Sequence, residues 1–368
     1  MLFLAPRSPG DFVAHLPITL QLDQIASAIM TLACIGGVIG FRTRTCAFLV
    51  FLLGIYVLGI PQCYGKVNHC TQHLIWFAGV LALSRCADVL SIDALIKSRR
   101  EADRGITRTP APSMIYGLPL RLIWLMMGTI YFFPGFWKLK TSGIAWAFSD
   151  NLVHYMYQSW VFAVGGWQPF FRIDRYPALC QSAAFGTLIF ELSFVALIFS
   201  PLGRIVLVVL GQLFHTMTQL FMHIAFFELQ ACYVALVNWN AILHSFGKLL
   251  FPRRLMLTYD VGSSACRRVI TFLGTMDVLD RIAYLPVGTD STQTDGAAAD
   301  DVTTSLLSDD GFYDSDVVLA VAKRVPTLWP LLPVLQFKPL RKMFCATILR
   351  RMFQNRANSD AADATSIQ

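Results

Sequence analysis

Charged residues are scarce in this chain. Only 14% of its 368 residues are Asp, Glu, Lys or Arg, whereas 55% are hydrophobic and 13% are aromatic. A soluble chain of this length needs more polar surface than that around its core. The composition therefore predicts an integral membrane protein whose first partner is the lipid bilayer. The net charge of +7 is typical of basic residues flanking membrane helices, so it does not indicate a nucleic-acid partner.

Paired cysteines and a signal peptide are also missing. The nine cysteines include no CxxC pair, so no metal site is predicted, and those inside apolar runs are interpreted as small core residues. Cys63 and Cys70 flank His69 in one short loop and are candidates for a disulfide if that loop is lumenal. The N-terminus, MLFLAPRSPGDF, lacks the basic start and apolar centre of a signal peptide.

Apolar runs that are long enough, or nearly long enough, to cross a bilayer recur along the first 250 residues. They predict a polytopic α-helical membrane bundle of about seven spans. The predicted spans are Ile25–Phe41, Cys46–Ile60, His73–Leu90, Tyr116–Trp137, Ala178–Ser200, Gly203–Ile224 and Phe226–Phe246. The second run is only about 15 residues long, so it needs a thinner bilayer or neighbours that shield its ends.

Basic residues concentrate in alternate loops and predict the orientation of the bundle. The basic loops contain Arg42 and Arg44, Lys97 to Arg108, Arg204, and Lys248 to Arg254. We assign that side and the C-terminus to the cytosol, in a multi-pass protein of an endomembrane or the plasma membrane. His69 and Lys138 then share the lumenal or extracellular face. Because the N-terminus falls on that face without a signal, one further helix is expected before it.

The candidate site starts where the fourth apolar run ends, in the segment YFFPGFWKLKTSGIAW from Tyr131 to Trp146. In a dry pocket the charged form of an amine is disfavoured, so Lys138 is a candidate general base. The alternative is that Lys138 and Lys140 extend their amines to lipid headgroups. The aromatic-rich connection that follows is typical of a segment lying in the membrane interface, where it would cover such a site.

Two more ionisable residues, Glu191 and His215, lie inside apolar runs. Such groups are costly at membrane depth unless they are paired or face a cavity, which makes both residues functional candidates. The alternative for each is a structural hydrogen bond between helices, worth about 1 kcal/mol.

Residues 251–358 have the composition of a small soluble domain. Strands are predicted over Arg254–Tyr259 and Ile282–Leu285, and a helix over Cys266–Leu273. Two further helices are predicted over Val317–Val325 and Pro339–Arg356.

An acidic insertion interrupts this C-terminal part. Between residues 290 and 316 there are eight aspartates and no Lys or Arg, which predicts a disordered insertion near 288–308. Asp310-Gly311 is typical of a hairpin turn. Residues 359–368 are predicted to form a disordered tail.

The membrane part, residues 1–250, resembles the HTTM domain, the module shared with vitamin K-dependent gamma-carboxylase. The residues that carry the resemblance are GFRTRTCAF from Gly40, Asn68-His69, Ser91-Ile92-Asp93, Gly135-x-x-Lys138-Leu139 with Trp146, Glu191-Leu192-Ser193, and His215. The resemblance implies a lysine amine that deprotonates vitamin K hydroquinone. Oxygen then adds, and the resulting alkoxide takes a proton from a glutamate γ-carbon so that carbon dioxide can add.

The resemblance also assigns roles to residues of this chain. Lys138 matches the carboxylase lysine, and Asn68 with His69 matches the asparagine–histidine pair near it. Lys138, His69, Asn68 and His215 are thus the implied catalytic residues, with Glu191 and Asp93 as structural polar groups. Vitamin K hydroquinone or another quinone is the implied cofactor, and a protein the implied substrate. Since no large lumenal domain follows the helices, a non-catalytic membrane scaffold is the alternative.

The C-terminal part is similar to the DCC thiol-disulfide oxidoreductase domain, a thioredoxin-like module with a Tyr-Asp-Gly turn and two cysteines at CxxC spacing. The similarity is carried by Tyr259 to Cys266, Met276 to Leu285, Asp310 to Tyr313, Pro326 to Trp329, and Asn355-Arg356. Ser263 occupies the position of the first cysteine of the CxxC motif, so a disulfide between that position and Cys266 cannot form. Either Cys266, beside Arg267 and Arg268, forms mixed disulfides, or the domain is redox-inactive and binds a partner.

Overall fold

The computed structural model describes residues 19–60, 69–106, 113–163, 165, 167–259, 264–286, 303–308, 311–312 and 315–344. Most of these residues are helical, and one small sheet follows the helices, which confirms a mainly α-helical chain with an α/β portion. The chain divides into two compact units. The helical unit comprises residues 1–38, 43–86 and 113–237, and the α/β unit comprises residues 39–42, 87–112 and 238–368.

The helices and strands follow one another in a simple order. They are α1 (Leu20–Ile39), α2 (Thr43–Val57), α3 (His69–Leu83), α4 (Ile92–Asp103), α5 (Met114–Ser142), α6 (Ala145–Phe148), α7 (Asn151–Phe162), α8 (Pro177–Leu197), α9 (Pro201–Met222), α10 (Phe227–Cys232), α11 (Trp239–Leu250), β1 (Leu255–Tyr259), α12 (Ser264–Met276), β2 (Ile282–Pro286), β3 (Thr303–Ser308), β4 (Gly311–Phe312), α13 (Ser315–Arg324), α14 (Leu332–Leu335) and α15 (Lys338–Phe344). Short 3₁₀ segments cover Ile173–Arg175, Tyr233–Leu236 and Pro326–Leu331.

Four helices, α1, α5, α8 and α9, are long and apolar enough to cross a membrane. Their length and composition indicate a membrane protein. Helices α2 and α3 are apolar but have 15 residues each, fewer than the roughly 20 that usually cross the hydrocarbon layer. That α2 and α3 span the bilayer stays a prediction.

The predicted seventh span, Phe226–Phe246, is not one helix. The structure divides it into α10, the 3₁₀ segment Tyr233–Leu236, and α11. Asn238 begins α11, because its side-chain oxygen accepts a hydrogen bond from the Ala241 amide at 3.2 Å. Asparagine at this position starts a new helix and ends the previous one, a signal that hydropathy alone does not register.

Stacked aromatic rings lie in the core of the helical unit, and large apolar side chains cover much of its exterior. Tyr131 of α5 stacks on Phe194 of α8 with ring centroids 4.1 Å apart, and both rings are almost completely buried. Large aliphatic residues instead face outwards along the long helices, including Ile35, Leu202 and Val209. An apolar exterior of this kind suits contact with lipid chains.

The α/β unit contains a four-stranded sheet in the order β2-β1-β3-β4. Strand β1 is parallel to both β2 and β3, and β3 is antiparallel to β4. Helix α12 packs on the sheet through a core that includes Leu257 and Ile270. The two strands and the helix predicted between residues 254 and 285 are confirmed. The thioredoxin-like classification of this unit stays a prediction.

Strand β3 corrects the predicted acidic insertion near 288–308. Thr303–Ser308 is a strand that pairs with β1, and its β-branched and leucine residues favour this conformation over disorder. Residues 287–302 and the predicted tail 359–368 lie outside the described residues. Ser308 pairs with Gly311, which confirms a hairpin at the predicted position.

Helix α4 moves the predicted domain boundary at residue 250. Its small buried residues Ala94, Ser98 and Ala102, spaced four apart, line the side that packs on α12. The Arg268 Nε atom also donates to Asp103 Oδ1 at 2.6 Å. A segment that its charges marked as a loop between spans therefore belongs to the α/β unit.

Candidate functional site

The central contact of the helical unit is an ion pair between Lys138 of α5 and Glu191 of α8. The Lys138 amine donates to both Glu191 carboxylate oxygens, at 2.6 and 2.7 Å. The Lys138 side chain is 22% exposed and that of Glu191 only 8%. The two charges were predicted as separate features, and the structure brings them together across 53 positions of sequence.

A glycine allows the two helices to approach at this point. A Cβ atom on Gly135 would lie 2.8 Å from the Glu191 Cβ atom and 3.2 Å from Oε2, closer than real side chains permit. Because Gly135 precedes Lys138 by one helical turn, the gap that it leaves admits the Glu191 side chain beneath the amine. The Gly135-x-x-Lys138 spacing thus has a direct steric reason.

Trp146 contacts the lysine from a second side. The Lys138 amine lies 4.7 Å from the centre of the indole ring, and Trp146 itself is 7% exposed. A cation over the face of an indole gains about 1 kcal/mol or more when water is excluded. Lys138 is therefore held between a carboxylate and an aromatic face, which differs from an amine extended to lipid headgroups.

A second polar cluster lies deeper in the unit. The Tyr233 hydroxyl donates to the Tyr131 hydroxyl oxygen at 2.7 Å, and Tyr131 contacts His215 Nε2 at 2.6 Å. With Tyr233 donating to Tyr131, the Tyr131 hydrogen is directed to Nε2. The proton of neutral His215 is then on Nδ1, a buried atom without a hydrogen-bond partner in the described part of the chain.

Two of the predicted catalytic residues, Lys138 and His215, thus take part in separate contacts. Tyr131 and Lys138 are seven residues apart on α5, about 10 Å along the helix axis. His215 is hydrogen-bonded to Tyr131, and Glu191 is hydrogen-bonded to Lys138. Sequence reasoning missed Tyr131 and Tyr233, although Tyr131 lies on the Lys138 face at helical spacing.

The predicted asparagine–histidine pair cannot be placed beside Lys138. Asn68 lies outside the described residues, as does the predicted partner of Cys70, Cys63. His69 and Cys70 begin α3, but their side chains also lie outside the description. Convergence of Asn68 and His69 on Lys138 stays a prediction.

The connection between Lys138 and Pro177 contains the helices α6 and α7 and a 3₁₀ segment. Helix α7 packs on α8 and α9, and Trp160 Nε1 donates to the Phe221 carbonyl oxygen at 2.8 Å. Arg172 makes two hydrogen bonds to Asp174 and holds the pKa of that carboxyl below its ordinary value. These contacts fix the aromatic segment against the helices around Lys138.

Asp93 has a structural position in the α/β unit. Its carboxylate accepts a hydrogen bond from the Arg42 amide at 2.9 Å, and its own amide donates to the Gly40 carbonyl oxygen at 2.9 Å. Gly40 has φ of 74°, and a Cβ atom there would overlap Ser91. Two separate segments of the HTTM resemblance, the Gly40 loop and Ser91-Ile92-Asp93, therefore pack directly on each other.

Cys266 lies inside the core of the α/β unit. Its exposure is 0%, and it packs with Leu257 and Val269 in the cluster between α12 and the sheet. Thiol–disulfide exchange needs access to the sulfur, so this position favours a structural cysteine. Ser263 lies outside the described residues. Among the residues that the structure describes, no cluster of His, Cys, Asp and Glu could hold a metal ion.

The ion pair makes a prediction about stability. We expect Glu191→Gln to lower the free energy of unfolding by about 2 kcal/mol, because it leaves a mostly buried ammonium without its counter-charge. Adding Lys138→Met should restore most of that loss, since no charge then remains. Unfolding of the purified protein in detergent, followed by circular dichroism, measures both changes.

Lys140→Met is the matched control for that experiment. Lys140 is exposed and lies over the Trp137 ring at 5.3 Å, so its replacement should change stability by no more than about 0.5 kcal/mol. Equal losses in Glu191→Gln and in the double variant would contradict the buried pair.

The burial of Cys266 predicts slow alkylation. In folded protein, iodoacetamide should modify Cys266 at least about 100-fold more slowly than Cys86, because reaction at Cys266 requires local unfolding. Cys86 is exposed and serves as the internal control. Mass spectrometry of peptides over a time course measures both rates, and comparable rates would show that the Cys266 thiol is accessible.

Comparison of the chain with protein-family models, with curated proteins and with solved structures finds no match in any of the three. The HTTM and DCC resemblances therefore rest on the residues and motifs named above. What they imply about activity is a matter for proposal.

Proposed function

We propose that this chain is a multi-pass membrane protein of the HTTM, vitamin K-dependent carboxylase-like family, and that Lys138 acts as a general base on a reduced quinone. One observation carries the proposal. Gly135, Lys138 and Trp146, which belong to one segment of the resemblance, form a single contact cluster with Glu191, which belongs to another. A lysine that only extended to headgroups would need neither the carboxylate nor the buried indole.

The pair gives the amine a way to become a base. A general base must be unprotonated before it takes a proton, and Glu191 lies within hydrogen-bond distance of the Lys138 proton. In a site of low dielectric, desolvation raises the free energy of the ionic pair. The free-energy difference between the ionic pair and the neutral amine–carboxylic acid pair is therefore smaller than in water. Transfer of one proton from Lys138 to Glu191 yields the neutral amine. That amine then accepts the hydroxyl proton of the quinol and leaves a quinolate.

The surroundings suit an apolar aromatic substrate. A reduced quinone dissolves in the hydrocarbon layer, so it can reach a helix-bound lysine through lipid. Around Lys138 and along α5 the neighbouring groups are aromatic, including Trp146, Tyr131 and Phe190. Flat rings of this kind pack against a quinone ring at favourable offset or edge-on geometry.

In this proposal the rest of the chain completes the family architecture. Helices α2 and α3 cross the membrane with the four longer helices, while convergence of Asn68 and His69, whose side chains lie outside the described part of the chain, on Lys138 stays a prediction. The α/β unit is a DCC-like, thioredoxin-like domain on the cytosolic side. Because Cys266 is buried, this domain is redox-inactive and serves in binding.

The second candidate is a non-catalytic scaffold, and the ion pair itself favours it. Lys138 donates to both oxygens of one carboxylate, an arrangement that ties α5 to α8 whether or not chemistry follows. The buried Cys266 fits the same reading. The two candidates differ in what happens when a quinol is supplied.

Quinol turnover tests the proposal. The purified protein in lipid nanodiscs should consume vitamin K hydroquinone in an oxygen-dependent reaction that forms the epoxide. Lys138→Met should lower the rate by about 100-fold or more, the range for loss of a general base. Chromatographic separation of quinol, quinone and epoxide measures the rate.

Lys140→Met serves as the control, because it removes an exposed amine two residues away and should leave the rate unchanged. No turnover above protein-free nanodiscs, together with an intact fold, would select the scaffold. Equal rates in the two lysine variants would remove Lys138 from the mechanism.

A further inference from the structure

Helix α11 has two distinct faces. The chain passes from the helical unit to the α/β unit between Val237 and Asn238, and α11 begins immediately afterwards at Trp239. Large apolar side chains with helical spacing of three, four and three residues project from one face. These are Trp239 at 47% exposure, Ile242 at 50%, Phe246 at 42% and Leu249 at 78%.

The opposite face of α11 is the one attached to its own unit. Gly247 is buried against Leu279, and the His244 ring lies 3.4 Å from an Asp280 carboxylate oxygen. Asn240, His244 and Lys248 follow one another at four-residue spacing along this polar side. Gly247 and His244 face the unit, whereas Trp239, Ile242 and Leu249 on the apolar stripe are exposed.

A lipid surface is the partner that fits the stripe. An amphipathic helix with aromatic and aliphatic residues on one side and lysine on the other lies in the membrane interface. Tryptophan at one end and Lys248, followed by Arg253, at the other are the residue types that anchor such helices among headgroups. The preceding long apolar helix, α9, ends at Met222, so only 16 residues separate α11 from a segment suited to crossing the bilayer.

We propose that α11 lies in the plane of the membrane interface, with Trp239, Ile242, Phe246 and Leu249 inserted between anionic lipid headgroups. The α/β unit is thereby bound to the bilayer surface through this stripe in addition to its chain connections. Basic residues at the end of α11 then contact the lipid phosphate groups and the carboxylates of phosphatidylserine. This inference does not depend on the quinone proposal.

Site-specific fluorescence tests the insertion. An environment-sensitive fluorescent amino acid is placed by codon suppression at Leu249 in one full-length variant and at Asn240 in another. Both variants are reconstituted in nanodiscs of phosphatidylcholine with phosphatidylserine, with nitroxide-labelled lipids as quenchers. The Leu249 probe should be quenched from a depth of about 5–10 Å below the headgroups. Quenching of the Asn240 probe should be weaker than that of the Leu249 probe by a factor of about two or more, because Asn240 lies on the polar side.

Each other outcome overturns the proposal. Equal quenching at the two positions would show that α11 has no lipid-facing side. Absence of quenching at Leu249, with emission typical of water, would show an exposed helix. The Leu249 probe could also be unquenched by nitroxide lipid while its emission shifts when two copies of the protein share one nanodisc. That result would show a protein–protein contact in place of a lipid contact.

Discussion

The ion pair between Lys138 and Glu191 sets the conditions that the rest of the helical unit meets. Two mostly buried charges lose much of the hydration that stabilises them in water, and burying either of them alone is costly. Direct contact at 2.6 Å, a glycine that lets α5 and α8 approach, and an indole over the amine together reduce that cost. In the proposed mechanism, the same contact places a proton acceptor, Glu191, beside the Lys138 amine.

Helix α5 places two polar contacts on one apolar bundle. Tyr131, Gly135 and Lys138 follow one another at spacings of four and three, so they share a face. Tyr131 connects His215 and Tyr233, while Lys138 connects Glu191. The surrounding residues are aromatic and buried, which keeps both contacts strong by limiting competition from water. In the α/β unit, Cys266 is also buried, and its position favours core packing over thiol–disulfide exchange.

Hydropathy and local pattern predicted much of this arrangement. The long apolar runs predicted helices α1, α5, α8 and α9, and the short apolar runs after residue 253 predicted β1 and β2. Lys138, Glu191 and His215 stood out because charge and imidazole are rare in such runs. Asn238 was overlooked as a helix start, so α10 and α11 were joined into one span. Small residues four apart in α4 were overlooked because the charges around them dominated the reading.

Pairing was the part that local pattern could not predict. Which partner Lys138 takes depends on how α8 is placed against α5, and the two residues are separated by 53 positions. The Tyr233–Tyr131 contact spans 102 positions and gives no local signal, since tyrosines in an apolar bundle are ordinary core residues. The acidic composition near residue 300 predicted disorder that extended over Thr303–Ser308. Threonine and leucine in that segment favour a strand instead.

Lys138 and Glu191 contact each other as opposite charges, and exchanging the two charges shows whether that contact stabilises the fold. Lys138→Glu places two carboxylates in the contact, and Glu191→Lys places two amines there. Unfolding temperatures of both single variants and of the double variant are measured in detergent. Each single exchange should be strongly destabilising, and the double variant should be more stable than either single variant. A double variant whose loss of stability equals the sum of the single losses would show that the two side chains do not form an ion pair.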